Sequence, residues 1–239
     1  YGKFILYIYK IDGSPPARAV LMTAELLKLK YEPKEVNFMT GENKQPEYLE
    51  KNPLHTVPLL EDGDLILADS HAIITYLVSK YGAEKRAALY PGDLALRATI
   101  DQRLYFDATV LFQAMTVVNR EVFFKKSPGP NEEQTDKIND AYAVLNKYLE
   151  KSKFVACDYI TVADISCVST LSSMNAVVPV DEKYAKVHAW WNRLKEEEWY
   201  QKANEPGLQQ FTQFLQGKSK SFTLGGTHLN YIQIREMLV

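Results

Sequence analysis

The stretch that decides the fold is Thr56–Tyr81, TVPLLEDGDLILADSHAIITYLVSKY. Two short apolar runs, Val57–Leu60 and Leu65–Leu67, flank the pair Asp62-Gly63, which is the signal of a two-stranded hairpin. The segment Ser70–Tyr81 instead carries its apolar residues at helical spacing. The stretch therefore predicts two antiparallel strands followed by a helix.

Residues upstream of this stretch alternate between strand and helix patterns. An apolar, aromatic run over 4–11 predicts a strand, residues 16–29 predict a helix, and 34–39 form another apolar segment. The order strand, helix, strand, hairpin, helix describes a small α/β domain, in which a parallel βαβ unit joins an antiparallel hairpin. We assign this domain to residues 1–81.

Residues downstream of the stretch read as helix. The segment 82–93, GAEKRAALYPGD, combines Gly, Pro and charged residues and loses the periodicity, as domain linkers do. One long amphipathic helix is predicted to follow it, and Thr161 with Asp164 forms a capping box that starts another helix. We assign 94–217 to an all-α domain and leave 218–239 as a C-terminal extension of unassigned structure.

The composition of the 239-residue chain is that of an ordinary globular protein, with 46% hydrophobic and 24% charged residues. Its 28 basic and 30 acidic residues give a net charge of -2 without a basic block, which argues against nucleic acid as a partner. No apolar run approaches the roughly 20 residues of a membrane span, and no signal-peptide pattern is present. We therefore expect a cytoplasmic protein that acts without a membrane. The two cysteines predict neither a disulfide nor a metal site.

A single hydroxyl stands at the corner between the first strand and the first helix, in Asp12–Pro16, DGSPP. The two prolines set Ser14 in the extended conformation of an N-cap. Its hydroxyl can cap its own helix, which is worth about 1 kcal/mol. Alternatively, the hydroxyl and the positive helix end together hold an anion, such as a thiolate. Taken alone, this corner leaves both roles open.

Two further polar clusters flank the predicted hairpin. In His55–Pro58, the bond before the proline is either an ordinary trans peptide or a cis peptide that turns the backbone of Val57 toward an extended ligand. At the next helix start, Ser70 either caps the helix or joins Asp69 in binding the carboxylate and ammonium of a ligand. Each cluster on its own is compatible with a structural role.

In combination, these motifs resemble a known family. GSPPARA, NPLHTVPLLEDG, DSHAIITYL, LYP and TVADIS look like a cytosolic glutathione transferase, nearest to the insect delta and epsilon classes, with epsilon favoured by SPP and DSHAI. The resemblance spans residues 4 to 216. It implies a thioredoxin-like first domain, an all-helical second domain and a homodimer. It also implies a detoxification enzyme that conjugates glutathione, its co-substrate, to apolar electrophiles without a metal.

The resemblance further implies roles for individual residues. Ser14 would stabilise the glutathione thiolate, and the backbone of Val57, ahead of a cis proline, would pair with the cysteinyl unit. His55 would reach the glycine carboxylate, while Asp69 and Ser70 would hold the γ-glutamyl end. The glutathione-binding set comprises Asn43, His55, Thr56, Val57, Pro58, Asp69, Ser70 and His71. The electrophile pocket, whose helical stripe could equally be plain core, comprises Ile11, Phe112, Met115, Asn119, Phe123 and Phe124.

Several positions depart from the family pattern. Asn43 stands where the epsilon pattern usually has a histidine, and Thr116 stands where the long helix usually has an arginine. The loop between Tyr7 and Ser14 is longer than usual, which leaves Tyr7 or Tyr9 as alternative partners of the thiol. Asn43, Thr116 and the long segment after residue 217 motivate a second hypothesis, a non-catalytic protein of the same fold that carries an apolar ligand.

Overall fold

The computed structural model describes most of the chain, namely residues 5–124 and 129–215 and the backbone of 222–224 and 227–229. Within these ranges, the side chains of Met39 and of residues 119–124 lie outside the description. The first part of the chain forms a mixed sheet with helices on both faces. In chain order its elements are β1 (Leu6–Lys10), α1 (Pro15–Leu26), β2 (Tyr31–Glu35), α2 (Pro46–Lys51), β3 (Leu59–Asp62), β4 (Leu65–Ala68) and α3 (Ser70–Tyr81).

The sheet has the strand order β2-β1-β3-β4. Strand β1 runs parallel to β2 and antiparallel to β3, and β3 pairs with β4 as an antiparallel hairpin. The closing pair of the hairpin is Asp62 with Leu65, and Gly63 in the turn has a φ of 63°, a conformation that favours glycine. The hairpin predicted around Asp62-Gly63 is thereby confirmed.

The second strand lies earlier than the sequence suggested. We expected an apolar segment over 34–39, whereas β2 spans Tyr31–Glu35 and includes Pro33. Because β2 is an edge strand with half-buried and exposed residues, it needs no apolar alternation and tolerates a proline. The apolar signal came from Val36, which follows the strand and packs with Tyr48 of α2.

Alternation along β1 separates the two faces of the sheet. Leu6 and Ile8 are buried in the large core that α1 and α3 cover. Tyr9 lies on the opposite face, where it packs with Tyr48 of α2 in a smaller cluster around Leu59. The side chains of neighbouring β1 residues therefore point to different sides of the first domain.

The described part of the chain after α3 is helical until residue 215. Its elements are α4 (Arg86–Leu89), α5 (Leu94–Phe106), α6 (Phe112–Phe124), α7 (Glu132–Leu149), α8 (Val162–Val177), α9 (Ala185–Lys195), α10 (Glu198–Ala203) and α11 (Glu205–Leu215). The predicted long helix is interrupted, since a π-helical turn over Asp107–Leu111 separates α5 from α6. In the extension, β5 (Phe222–Leu224) pairs with β6 (Thr227–Leu229).

The start of α8 confirms the predicted capping box. Asp164 Oδ2 accepts from the Thr161 amide at 2.8 Å, and Asp164 Oδ1 accepts from the Val155 amide and from Trp190 Nε1, both at 2.9 Å. Burial raises the pKa of the Asp164 carboxyl, and these donors work against that rise. The box therefore anchors the loop before α8 to the core.

A buried arginine links the two parts of the chain. The guanidinium of Arg18 in α1 is fully buried and donates to Asn204 Oδ1 at 2.8 Å and to Ser172 Oγ at 3.4 Å. It also donates to the hydroxyl of Ser173. Because its direct partners among the described residues are neutral, burial lowers the pKa of Arg18 to about 10. Polar groups of α8 and of Asn204, which follows α10, thus replace water around this side chain of the first part.

Candidate functional site

The hydroxyl of Ser14 is the hydrogen-bond donor at the N-terminus of α1 that is still available to a ligand. Ser14 has N-cap geometry, its amide donates to Ile11 O at 3.0 Å, and its Oγ accepts from the Ala17 amide at 3.5 Å. Pro15 and Pro16 occupy the first helical positions and carry no N–H. Within the described part of the chain, every other donor at this helix end is thus missing or used. A ligand anion placed there meets the hydroxyl first.

The competing tyrosine is engaged elsewhere. The Tyr9 hydroxyl donates to Glu61 Oε1 at 3.0 Å and accepts from Lys51 Nζ at 3.1 Å, while Lys51 pairs with Glu61 at 2.6 Å. Tyr7 shares that face of the sheet, and its ring lies under Lys34 Nζ at 4.7 Å. Both tyrosines lie on the face opposite α1, whereas Ser14 stands at the start of α1.

Side chains that donate to two of its carbonyl groups hold the loop before β3. Asn43 Nδ2 donates to the His55 carbonyl at 2.9 Å. The Thr56 carbonyl accepts from Asn52 Nδ2 at 2.9 Å and from the Tyr48 hydroxyl at 2.7 Å. The bond between Val57 and Pro58 is cis. Three side chains therefore fix the two carbonyls that precede the bond.

The residues of this loop divide into exposed and supporting ones. The side chains of His55 and Thr56 are exposed, and Val57 is half-buried. Asn43, expected to contact glutathione, is 3% exposed and lies against the His55 carbonyl, because the short 3-10 turn over Glu42–Lys44 turns it inward. Its role in the structure is to support the loop.

Asp69 caps the N-terminus of α3. Its Oδ1 accepts from the amides of His71 at 2.9 Å and Ala72 at 3.1 Å, and its backbone has a φ of 73°, which is rare outside glycine. The carboxylate remains well exposed, whereas Ser70 beside it is buried. Its hydrogen bonds, led by the one from the His71 side chain, lower the pKa of Asp69. The Asp69 carboxylate is therefore charged and accessible at the surface.

A buried network joins this corner to the helical part. His71 Nε2 lies 3.0 Å from Asp107 Oδ2, and His71 Nδ1 lies 3.4 Å from Asp69 Oδ1. Ser166 of α8 donates to the same Asp107 oxygen. Burial alone would lower the pKa of His71, but the two carboxylates outweigh it and raise this pKa to about 9. The imidazolium therefore bridges both carboxylates at neutral pH.

Sequence reasoning missed Asp107 and Ser166. Asp107 lies in the π-turn and is 3% exposed, on the helix face that carries Leu104 and Leu111. An acidic residue in the middle of an apolar stripe is the signal that could have identified it. Ser166 gave no comparable signal, because α8 is lined with small hydroxyl residues.

The predicted electrophile pocket is only partly represented by described side chains. Ile11 and Phe112 are half-buried, and Phe112 packs at the margin of the core. Met115 is 3% exposed and belongs to the core, since it shares a helix face with Leu111 and Val118. The assignment of Met115 to the electrophile pocket stays a prediction. The side chains of Asn119, Phe123 and Phe124 lie outside the described residues.

Comparison with known proteins identifies the family. Family models described as the N-terminal and C-terminal domains of glutathione S-transferase match residues 8–85 and 112–198. Glutathione S-transferase 1 of Manduca sexta is 44% identical over 206 residues, which cover 85% of this chain and 94% of that protein. The chain belongs to the glutathione S-transferase family. Glutathione S-transferase D7 of Drosophila melanogaster is 37% identical over 88% of this chain and 93% of its own length.

Solved structures of glutathione S-transferases share the fold. An epsilon-class enzyme of the housefly, Musca domestica, has a TM-score of 0.85 at 42% identity and covers 89% of this chain and 98% of its own. A glutathione transferase homologue of Drosophila mojavensis with bound glutathione has a TM-score of 0.85 at 43% identity, covering 90% and 98%. The expected thioredoxin-like first domain and helical second domain are thus confirmed. The chain is an enzyme of the glutathione S-transferase family.

The described residues form neither a metal-binding cluster nor a membrane-spanning helix. Across 5–124 and 129–215, no group of three or more His, Cys, Asp or Glu side chains is arranged to hold a metal ion. None of the helices in the part of the transferase that the structure describes has the length and apolarity of a membrane span.

Proposed function

We propose that this transferase activates glutathione through the Ser14 hydroxyl and conjugates the thiolate to small apolar electrophiles, a detoxification type of reaction. The observation that carries the proposal is the N-terminus of α1. The two prolines have no amide hydrogen and the Ala17 amide already donates to Ser14 Oγ, so the Ser14 hydroxyl is the group that can donate to a sulfur anion.

The energetics suit a single hydroxyl donor. A cysteine-like thiol has a pKa near 8.5, and lowering it by about 2 requires roughly 2.7 kcal/mol of preference for the thiolate. A hydrogen bond to a charged acceptor contributes about 1.5 to 3 kcal/mol. The helix end contributes about 1 kcal/mol more. The hydroxyl therefore supplies the larger share.

The rest of the tripeptide would extend from Ser14 toward α3. We assign the cysteinyl backbone to Val57 ahead of Pro58, and the glycine carboxylate to His55 with Thr56 nearby. The γ-glutamyl ammonium would lie at the exposed carboxylate of Asp69. Its carboxylate would lie at the α3 N-terminus with Ser70, and the imidazolium of His71 would keep Asp69 in place.

A conjugation assay with a chromogenic nitroaromatic tests the proposal. Ser14→Ala should lower kcat at least tenfold and raise the pKa of the bound thiol, because a bond of about 1.5 kcal/mol or more to the thiolate is lost. The matched control is Tyr9→Phe, which removes a hydroxyl from the opposite face of the sheet and should leave kcat within twofold. A normal rate in Ser14→Ala would refute the assignment.

The same assay separates the enzyme from a carrier. Asn43 and Thr116 replace two usual polar contacts, and neither offers a buried charge to glutathione: Asn43 is used by the His55 carbonyl and Thr116 by the Phe112 carbonyl at 2.8 Å. A wild-type protein that binds an apolar ligand, and shows no turnover with any of several electrophiles, would establish the carrier function.

We also propose a cytoplasmic homodimer of the epsilon class. Leu65 and Ile66 of the edge strand β4 are 37% and 43% exposed, and Tyr105 of α5 is 70% exposed. Exposed apolar side chains on an edge strand are a liability unless a partner covers them. Light scattering of the purified protein should give twice the mass of the chain, and Ile66→Asp should give one chain mass.

A further inference from the structure

The loop that carries Ser14 is anchored on its own sheet by a buried lysine. Lys10 Nζ pairs with Asp12 Oδ1 and with Glu35 Oε1, both at 2.6 Å. Although burial works against it, the two carboxylates raise the pKa of Lys10. The Ser14 amide closes the loop by donating to Ile11 O at 3.0 Å. The extra length of the loop is thus taken up by a fixed turn.

Helix α11 contacts the same loop from the other side. A Cβ atom at Gly207 would lie 2.1 Å from the carbonyl oxygen of Asp12 and 2.8 Å from Cδ of Arg18. Gly207 does not have a positive φ. Its lack of a side chain therefore serves close approach, since even an alanine would displace the backbone of Asp12.

Helix α8 contacts the residue that follows Ser14. Ser169 Oγ donates to the Pro15 carbonyl at 2.5 Å, and the Arg18 amide donates to the Ser14 carbonyl at 3.0 Å. The side chain of Arg18 then runs into α8, where it donates to the Ser169 carbonyl at 3.5 Å. The Pro15 carbonyl therefore accepts directly from α8. The Ser14 carbonyl accepts from Arg18, whose side chain α8 holds.

We infer that Gly207 and Ser169 are positioning residues for the thiol chemistry. Gly207 allows α11 to pack directly against the Asp12 backbone, and Ser169 fixes the Pro15 carbonyl by a hydrogen bond. Together these contacts set the distance and angle between the Ser14 hydroxyl and the thiol. Hydrogen bonds weaken steeply with misalignment, and a displacement of about 1 Å can cost about 100-fold in rate. This inference rests on the proposed role of Ser14.

The test is Gly207→Ala, with Gly92→Ala as the matched control because a Cβ at Gly92 meets no atom within 4 Å. The pKa of enzyme-bound glutathione is followed by the ultraviolet absorbance of the thiolate, together with kcat and KM. Gly207→Ala should raise the bound thiol's pKa by about 1 and lower kcat about tenfold. The KM for glutathione should stay within twofold, and Gly92→Ala should match the wild type.

A double variant shows whether Gly207 acts through Ser14. In Ser14→Ala, adding Gly207→Ala should shift the thiol pKa no further, because the hydroxyl that it positions is gone. A further shift, or a Gly207→Ala protein with lower stability and an unchanged thiol pKa, would overturn the inference. If Gly207→Ala does not fold, Ser169→Ala is measured instead, and an unchanged pKa there overturns it equally.

The proposed function and the inference fail in different ways. If wild-type protein binds glutathione without forming the thiolate near neutral pH, the role of Ser14 fails and the inference falls with it. If the wild type forms the thiolate and Ser14→Ala loses it, the role of Ser14 stands. In that case the thiol pKa of Gly207→Ala decides the inference alone.

Discussion

Two helix N-termini of the first domain carry different polar groups. Helix α1 begins with two prolines and keeps one neutral donor, the hydroxyl of Ser14. Helix α3 keeps its amides but commits two of them to Asp69, whose carboxylate is tied through His71 to Asp107 of the helical domain. The same kind of element therefore carries one neutral donor at α1 and a network of charges at α3.

Cutting the network at α3 should have the largest effect on stability. Asp107→Ala removes the nearest carboxylate of His71, so the imidazole loses most of its preference for the protonated form and the free energy of unfolding at pH 7 should fall by about 3 kcal/mol. Urea denaturation at pH 7 measures the loss. The matched control, Asp101→Ala, removes a carboxylate whose hydrogen-bond donor among the described residues is the Tyr90 hydroxyl, and it should cost about 1 kcal/mol. Equal losses would contradict the network.

The network should also respond to pH, and α1 should not. The pKa of His71 is raised from 6.5 to about 9, so its contribution is fully present below about pH 6.5 and is lost as the pH rises through 9. The loss amounts to about 3 kcal/mol at most. Unfolding measured from pH 6 to 10 in wild type and His71→Gln checks this. A wild-type curve parallel to that of the variant would refute it.

The cap of α3 should matter more than the cap of α1. Asp69→Ala removes an acceptor of two amides and places alanine at a φ of 73°, which together should cost about 2 kcal/mol. Asp69→Asn keeps an acceptor oxygen and tolerates this φ, so it should cost less than half as much. Thermal unfolding of both variants measures the difference, and a larger loss in Asp69→Asn would disprove the capping role.

The smallest stability effect should come from Ser14 itself. The distance from its Oγ to the Ala17 amide is 3.5 Å, at the limit of a hydrogen bond, so Ser14→Ala should cost about 0.5 kcal/mol rather than the usual 1. Urea denaturation gives the value. Together with a large loss of activity, this would show that the hydroxyl serves the ligand more than the helix. A cost of about 2 kcal/mol would reverse that interpretation.

What the sequence could predict was local. The hairpin around Asp62-Gly63 and the capping box of Thr161 with Asp164 follow from neighbours in the chain, and both are present. Strand β2 was placed late because an edge strand lacks the apolar alternation on which prediction depends. The predictable part of the fold is thus the part whose signals lie within a few residues.

What the sequence could not predict depends on contacts between distant elements. His71 and Asp107 are 36 residues apart, and Ser166 is 59 residues from Asp107. The sequence identified Ser14 at a helix start, but not that Gly207, near the end of the described chain, lies against the same loop. The motifs name the groups that would contact glutathione, and packing determines what holds them.

The buried guanidinium of Arg18 has a consequence for how the chain can be divided. Its partners among the described residues are oxygens of Ser169, Ser172, Ser173 and Asn204, all supplied by the helical domain. A fragment ending at Tyr81 would keep the charge and lose each of those partners, and a fragment beginning at Leu94 would keep hydroxyl and amide groups facing an empty slot. We therefore expect the two domains to melt in one calorimetric transition, and to need joint expression when encoded as separate polypeptides.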